Sequence, residues 1–445
     1  MKNDINFERA LDFPLLISKN PNLAQYYNRR LNEYDFGSNN AIIELTQTLF
    51  ETKLGLKVRI DGSRLCPRFF NRLDYVLFIR DLLQSTSSAE ALLDEQEHQP
   101  QYIGIDVGCG QIAVYGLMCA SVIENLKHML CTDIDEKSII TATESIVANK
   151  LNGKVAVQHV DPGENSFGPF AELLSGTNDR EVAAFSMCNP PFYSSRTEMS
   201  MKNSLKRQKT NSNGEYVTGA DNELLTSGGE LTFIRKLVRD SKSMPNNRSV
   251  KWFTSLAGNY QTVRTLIKED FARDPDFNFG VHSFKSGHSR NATKRWIVYW
   301  SFGLIRPPVS VSSVDLAASR YKHTINCDTS VQITEADLNR LNDIKCKNPS
   351  GRVLLAHFPG DRWSRAYRRS LKHAARASQP DEECCFKIVS SGNTVTVYWL
   401  YGAQRRIFES FCGFMTRVVR KKETKCAVKA SSSSPAGSNA RRRPA

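Results

Sequence analysis

The sequence predicts an α/β protein, with a Rossmann-like, mostly parallel sheet preceded by a helical segment and followed by a small α+β domain. Three observations carry this reading. From Tyr102 to about Phe302, apolar runs of strand length alternate with helical patterns, as a parallel sheet with crossover helices requires. A tight glycine turn, Gly108-Cys109-Gly110, follows a buried-strand run directly and leads into helix-like sequence. After about Cys327 a second, shorter set of strand patterns ends in an amphipathic helix.

Taken in order, residues 1–94 read as a helical front segment. Its amphipathic pieces are Ala41–Phe50 and Leu73–Leu83, the latter with Leu73, Val76, Leu77, Ile79 and Leu83 near helical spacing. A polar connector, Glu95–Gln101, opens the sheet domain at 95–308. The strand candidates there are Tyr102–Val107, His128–Thr132, Val155–Val160, Val182–Met187, Val250–Leu256 and Trp296–Phe302. Polar intervals at Ser194–Asp221 and Phe284–Lys294 break the rhythm. The accessory domain, 325–420, has strand patterns at Val353–Phe358, Cys385–Ser390 and Thr394–Leu400 and a helix from Gln404 to Val419. Residues 421–445, rich in Lys and Ser, read as a disordered basic tail.

Composition narrows the function classes. The chain of 445 residues has an ordinary globular content of 40% hydrophobic and 24% charged residues. No apolar run reaches the roughly 20 residues of a membrane-spanning helix, so no membrane partner is expected. The first residues are polar, without the apolar core of a signal peptide, which points to an intracellular protein. The 11 cysteines include no CxxC pair and no Cys/His cluster at zinc spacing, so free thiols and no bound metal are expected. A net charge of +14 favours a polyanionic partner, of which nucleic acid is the commonest.

Two turns carry the chemistry. In the first, Gly108, Gly110 and Ala113 form a Gly-x-Gly-x-x-Ala pattern that sets bare backbone beside a ligand at the head of the sheet. Asp133, after the second strand, offers a carboxylate to ribose hydroxyls; its competing role is the N-cap of the helix from Glu136, which Asp135 also fits. This much suits a nicotinamide dinucleotide or S-adenosylmethionine. Asp106, two residues before Gly108, favours the methyl donor by ordering the loop.

The second turn, Cys188-Asn189-Pro190-Pro191-Phe192-Tyr193, follows the fourth strand candidate. Its prolines fix the backbone and lack amide donors, so their carbonyls are free to face a ligand. An exocyclic amine is a poor nucleophile because its lone pair is delocalised into the ring. The Asn189 side-chain oxygen and the Pro190 carbonyl each suit one of its hydrogens, and Phe192 offers a stacking surface for the base. Asn189, Pro190, Pro191 and Phe192 are therefore the catalytic candidates. A target inside a helix has to be extruded, which makes a loop or bulge the natural substrate.

These residues resemble the class I amino-methyltransferases with an Asn-Pro-Pro-Phe motif, and more closely the methyltransferase-like 16 family of RNA adenine-N6 methyltransferases. Also similar are Phe13-Pro-Leu-Leu-Ile-Ser-Lys-Asn-Pro21, Arg72-Leu-Asp-Tyr75, Ser227-Gly-Gly-Glu-Leu231 and Trp296–Phe302, so that the resemblance spans about residues 8–303. It implies a class I methyltransferase sheet of seven strands and S-adenosyl-L-methionine as cofactor. It implies structured RNA as partner, with a hairpin of U6 small nuclear RNA first and messenger RNA hairpins second, and a nuclear location.

Carried over by resemblance, Arg72, Gly108, Gly110, Ile112, Asp133, Glu164 and Asn189 contact the cofactor, Arg72 through the methionine carboxylate. The family carries a lysine-bearing loop after the third strand; this chain has Asp161-Pro-Gly-Glu-Asn165 instead, and Asp161 is an equal candidate for the adenine contact. Arg196, Lys202, Lys206, Arg207 and Lys209 match one RNA-contacting loop, and Arg290 and Arg295 another. In the accessory domain Arg362, Arg365, Arg368, Arg369, Lys372, Arg405 and Arg406 lie in sequence beside Trp363 and Tyr367, a composition that suits RNA, protein or lipid. Three rivals stand: methylation of ribosomal RNA or another amine, RNA binding that regulates splicing without catalysis, and a nicotinamide oxidoreductase.

Overall fold

The computed structural model describes residues 10–90, 100–178, 180–201, 219–274, 277–286, 293–313, 320–341, 343–370 and 382–432. The chain divides into two compact units. One comprises Met1–Ser87, Gln96–Gly303 and Ser310–Ala317; the other comprises Ser88–Glu95, Leu304–Val309 and Ala318–Ala445.

The first unit opens with α1 (Phe13–Lys19), α2 (Asn39–Leu54) and α3 (Phe69–Glu90). α2 begins where the Ser38 side chain accepts the Ala41 amide and ends at Gly55, whose left-handed φ of 68° an L side chain resists. Asn20 ties α1 to α2 by donating to Glu44 and Thr48. Between α1 and α2 lies a small hairpin, Tyr27–Asn28 against Glu33–Tyr34. α3 buries Leu73, Tyr75, Val76, Phe78, Ile79, Leu82 and Leu83, a face wider than its sequence periodicity shows. Its far end holds the sheet through Trp252, whose indole donates to Thr86.

The sheet strands are β1 (Gln101–Val107), β2 (Leu126–Asp133), β3 (Val155–His159), β4 (Glu181–Cys188), β5 (Phe253–Ala257), β6 (Asn278–Ser286) and β7 (Thr293–Ser301). β3-β2-β1-β4 are parallel neighbours, and β5-β7-β6 are antiparallel ones. The two groups are joined where Phe185 bridges Trp252 in parallel and the Ser186 amide donates to the Trp252 carbonyl. The result is one seven-stranded sheet of order β3-β2-β1-β4-β5-β7-β6, in which only β7 runs against the rest. Crossover helices α4 (Val114–Val122), α5 (Glu136–Ala148), α6 (Gly168–Ser175) and α7 (Gly229–Ser243) follow β1 to β4, and α8 (Tyr260–Thr265) follows β5. β6 was not among the strand candidates. Its sequence, Asn-Phe-Gly-Val-His-Ser-Phe-Lys-Ser, overlaps the interval read as polar, yet Asn278 is buried because Ser301 and Gly303 accept its amide hydrogens.

The second unit holds an antiparallel sheet of order β8-β12-β11-β10-β9, made of β8 (Lys322–Asn326), β9 (Lys345–Ser350), β10 (Val353–Phe358), β11 (Cys384–Ser391) and β12 (Thr394–Tyr401). β8 and β9 were not foreseen. α9 (Arg405–Ser432) packs on this unit's core through Phe408, Phe411, Cys412, Met415 and Val419, which fall on one helix face. α9 corrects the boundary at 421: it runs on to Ser432. Lys422 donates to Gln332 and Asp337, and Glu423 accepts from the Asp328 amide, so charges read as a tail are tied into the unit. Trp363, which lies in sequence among the basic residues, is buried in this core against Phe358 and Phe411.

Candidate active site

The turn after β1 is built as its glycines require. Gly108 and Gly110 take left-handed φ of 76° and 66°, and a Cβ at either would meet open space. The turn is fixed from below: the Gly108 and Cys109 amides donate to the Thr132 carbonyl, and the Gly110 amide donates to Asp133 Oδ2 at 2.8 Å. Asp133 Oδ1 accepts the Asp135 amide, while Asp135 itself caps α5 by accepting from Ser138. The two acidic residues that the sequence left open are thus separated: Asp135 is the helix cap and Asp133 faces the turn. Burial raises the Asp133 carboxyl, against the lowering effect of its amide donors.

The role given to Asp106 is corrected by the same geometry. Asp106 is fully buried, and neither carboxylate oxygen has a hydrogen-bond partner among the described residues; Asp133 orders the loop instead. Burial first, and then the Asp133 charge, push its carboxyl up to about 8, while the Arg72 cation opposes them.

Arg72 leaves the first turns of α3 to donate to the Tyr115 hydroxyl at 2.7 Å, with its guanidinium 5.4 Å from that ring's centroid. It has no ion pair among the described residues. One turn along α3, the buried Tyr75 hydroxyl bonds Thr254 of β5 and accepts the Cys188 amide at the end of β4. The motif Arg72–Tyr75 therefore puts a cation at the site and a brace behind the Asn189–Phe192 turn, on one helix face.

A cavity of about 410 Å³ opens over the glycine turn. It is lined by every residue carried over as a cofactor contact: Arg72, Gly108, Gly110, Ile112, Asp133, Asp161, Glu164 and Asn189. Asp161 and Glu164 close a tight turn, the Glu164 amide donating to the Asp161 carbonyl. Lys236 of α7, which sequence reasoning did not single out, donates to the Glu164 carbonyl and to Ser166 and Asp240. The front segment closes the other wall. Gln111 accepts the Asp61 amide, Glu223 accepts the Leu65 amide, and Arg64 pairs with Asp135 at 2.7 Å.

A second cavity, of about 880 Å³, adjoins the first, and Asn189 and Arg72 line both. Phe192 lies in the larger cavity and Pro191 in the smaller, whereas Pro190 is buried and lines neither. The Asn189 side chain has no hydrogen-bond partner among the described residues. Arg295 stands on strand β7, not on a loop as expected, with its guanidinium 5.8 Å from the Phe192 ring centroid. Across from it is Glu230, from the motif Ser227–Leu231, a buried carboxylate that accepts the Gly258 and Asn259 amides. Burial raises the Glu230 carboxyl and lowers the Arg295 guanidinium, and each opposes the other's shift. Arg196 is exposed and paired with Asp221 at 2.7 Å. Lys202, Lys206, Arg207, Lys209, Arg290 and Lys372 lie outside the described residues.

The smaller cavity fits an adenosine-containing methyl donor. The bare glycine backbone leaves room for it, the Arg72 guanidinium puts a cation in the lining, and the orphaned Asp106 carboxylate is buried nearby.

Comparison with known proteins accords with this geometry. A family model described as RNA methyltransferase matches residues 3–303. The U6 small nuclear RNA (adenine-(43)-N(6))-methyltransferase of Schizosaccharomyces pombe is 28% identical over 397 residues, 87% of this chain and 95% of that protein. The RNA N(6)-adenosine-methyltransferase METTL16 of Homo sapiens is 28% identical over 301 residues; the match covers 66% of this chain and 49% of that protein. The solved hMettl16 catalytic domain in complex with MAT2A 3'UTR hairpin 6 is 25% identical with a TM-score of 0.51, covering 68% of this chain and 97% of the other. Its complex with hairpin 1, at 24% identity and a TM-score of 0.53, shares the fold.

Proposed function

The chain belongs to the RNA methyltransferase family, and from that premise we propose that it methylates the N6 amine of an adenosine in structured RNA, using S-adenosylmethionine. The observation that carries this is Asn189, a free amide at the junction of two cavities, one suited to the donor and one to an extruded base. The relatives' names make a U6 small nuclear RNA hairpin the first substrate to try, and a nuclear reaction is part of the same proposal. A messenger RNA hairpin is the second, because a related domain was solved with one.

S-adenosylmethionine, when bound, supplies an electrophilic methyl carbon. Arg72, Gly108, Gly110, Ile112, Asp133, Asp161 and Glu164 would hold it, with Arg72 facing its carboxylate and Asp133 its ribose. Phe192 holds the target base flat, with the Arg295 guanidinium close to the same ring. The Asn189 oxygen accepts one hydrogen of the amine, and the carbonyl of Pro190 is the candidate for the other. Holding both hydrogens draws the nitrogen lone pair out of the ring system, towards the methyl group. No protein base is needed before the bond forms; orientation and polar preorganisation do the work.

The test is methyl transfer from labelled S-adenosylmethionine to a U6 hairpin, followed by nucleoside analysis. N6-methyladenosine is expected with the wild type, and Asn189→Ala should lower kcat by about 10³. Another methylated nucleoside, or an unchanged rate in the variant, would defeat the proposal.

A further inference from the structure

The larger cavity holds more than one extruded base would fill. It is about twice the volume of the neighbouring cavity, which is itself assigned to a nucleoside bearing an amino-acid arm. It also contains two separate aromatic surfaces. Phe192, under Arg295, lies beside Asn189. Tyr260 and Trp296 form the other, with ring centroids 5.3 Å apart and planes tilted by 31°. Tyr260 is 41% exposed, unlike the aromatic residues that make up the core. Lys294, two residues before Trp296 on β7, holds its ammonium 5.9 Å from the Trp296 centroid, so a cation flanks this surface.

The two surfaces hang on one segment. Glu230 accepts the amides of Gly258 and Asn259, immediately before Tyr260. A Cβ on Gly258 would lie 3.1 Å from Phe192 Cδ1 and 3.2 Å from Glu230 Oε1, so the segment runs hard against the Phe192 ring. Spacing between the platforms is thereby set by backbone and a buried carboxylate rather than by flexible side chains.

Resting on the functional reading above, we infer that the cavity takes two consecutive unstacked nucleotides, the target base on Phe192 and a flanking base on Tyr260 and Trp296. An aromatic face accepts any base by stacking, and Lys294 suits the phosphate that accompanies it. The flanking nucleotide must then leave its own stack, which makes a single-stranded neighbour part of what the enzyme recognises.

The test uses the full chain and hairpins carrying 2-aminopurine immediately 5′ or immediately 3′ of the target adenosine. Binding of the wild type should quench fluorescence at one of the two positions through stacking. Tyr260→Ala should abolish that quench and Tyr260→Phe should keep it. For the unmodified hairpin, Tyr260→Ala should raise KM about tenfold with kcat little changed. Quenching that is absent at both positions, or equal in wild type and Tyr260→Ala, overturns the inference. The fluorescence arm needs binding alone, so it reads the platform even if the wild type transfers no methyl group, an outcome that defeats the functional reading instead.

Discussion

The two cavities that meet at Asn189 are built in different ways. The smaller gathers the ends of consecutive strands, with the Gly108–Gly110 turn after β1, Asp133 at the end of β2 and the Asp161–Glu164 turn after β3, and is walled on the other side by Leu65, Pro67 and Arg72 of the front segment. The larger is lined from widely separated parts of the chain, among them Arg68 and Arg72 of the front segment, Phe192, Glu230, Tyr260, and Arg295 with Trp296. A frame of adjacent strand ends tolerates change around it. One held by long-range pairs fails when a single pair is removed, and the sharpest tests of this contrast leave the cofactor side untouched.

Among variants that leave Asn189 in place, the largest expected effect is at Glu230. Removing its carboxylate in Glu230→Ala leaves the Gly258 and Asn259 amides without their acceptor and Arg295 without its facing charge. A buried donor left unmatched costs about 1–3 kcal/mol of stability, and the segment against Phe192 shifts to relieve it; misplacement of the base by about 1 Å is enough for kcat to fall on the order of 100-fold. Calorimetric affinity for S-adenosylmethionine should stay within about twofold if the two cavities are independent. Glu230→Gln retains one acceptor oxygen and should fall between. Equal losses of cofactor affinity and of kcat would erase the distinction drawn here.

A smaller effect is expected from Gly258→Ala. The added methyl would press on Phe192 and Glu230 at 3.1 and 3.2 Å, so the ring has to yield by a few tenths of an ångström. Displacement of the base platform by that much should lower kcat by about tenfold, with thermal stability little altered. If kcat were unchanged, Phe192 would not be the surface that orients the base.

The same contrast explains what could be read in the sequence. Gly108, Gly110, Asp133 and the turn Asn189–Phe192 were legible because each sits in a short contiguous pattern after an apolar run. Asp133 and Asp135 could be told apart only when the Gly110 and Ser138 amides came into view. Glu230 was visible within the motif Ser227–Leu231, but its partner lies 28 residues away, where no spacing rule reaches. Lys236 was silent for the same reason. Arg295 is matched to a loop by the resemblance, whereas β6, absent from the strand candidates, pairs with the strand that carries it. In the second unit, Lys422 and Glu423 look like tail residues until Asp337 and the Asp328 amide are brought beside them.

The smallest expected effect tests the local side of the comparison through pH. Asp106 lies under the glycine turn with its carboxyl pushed up to about 8 by burial and by Asp133. In the unfolded chain the same group titrates near its ordinary value of about 4. Between these values the unfolded state binds fewer protons than the folded one, so stability falls as pH rises through that window and levels off above about 8. Asp106→Asn keeps the shape and removes the charge, and so removes this decline. The cofactor-free melting temperatures of variant and wild type should lie closest near pH 5 and diverge towards pH 8, the variant being higher by on the order of a few degrees. Parallel melting profiles across that range would mean that Asp106 is ionised and matched in the folded protein, and that the turn carries no electrostatic penalty for its compact construction.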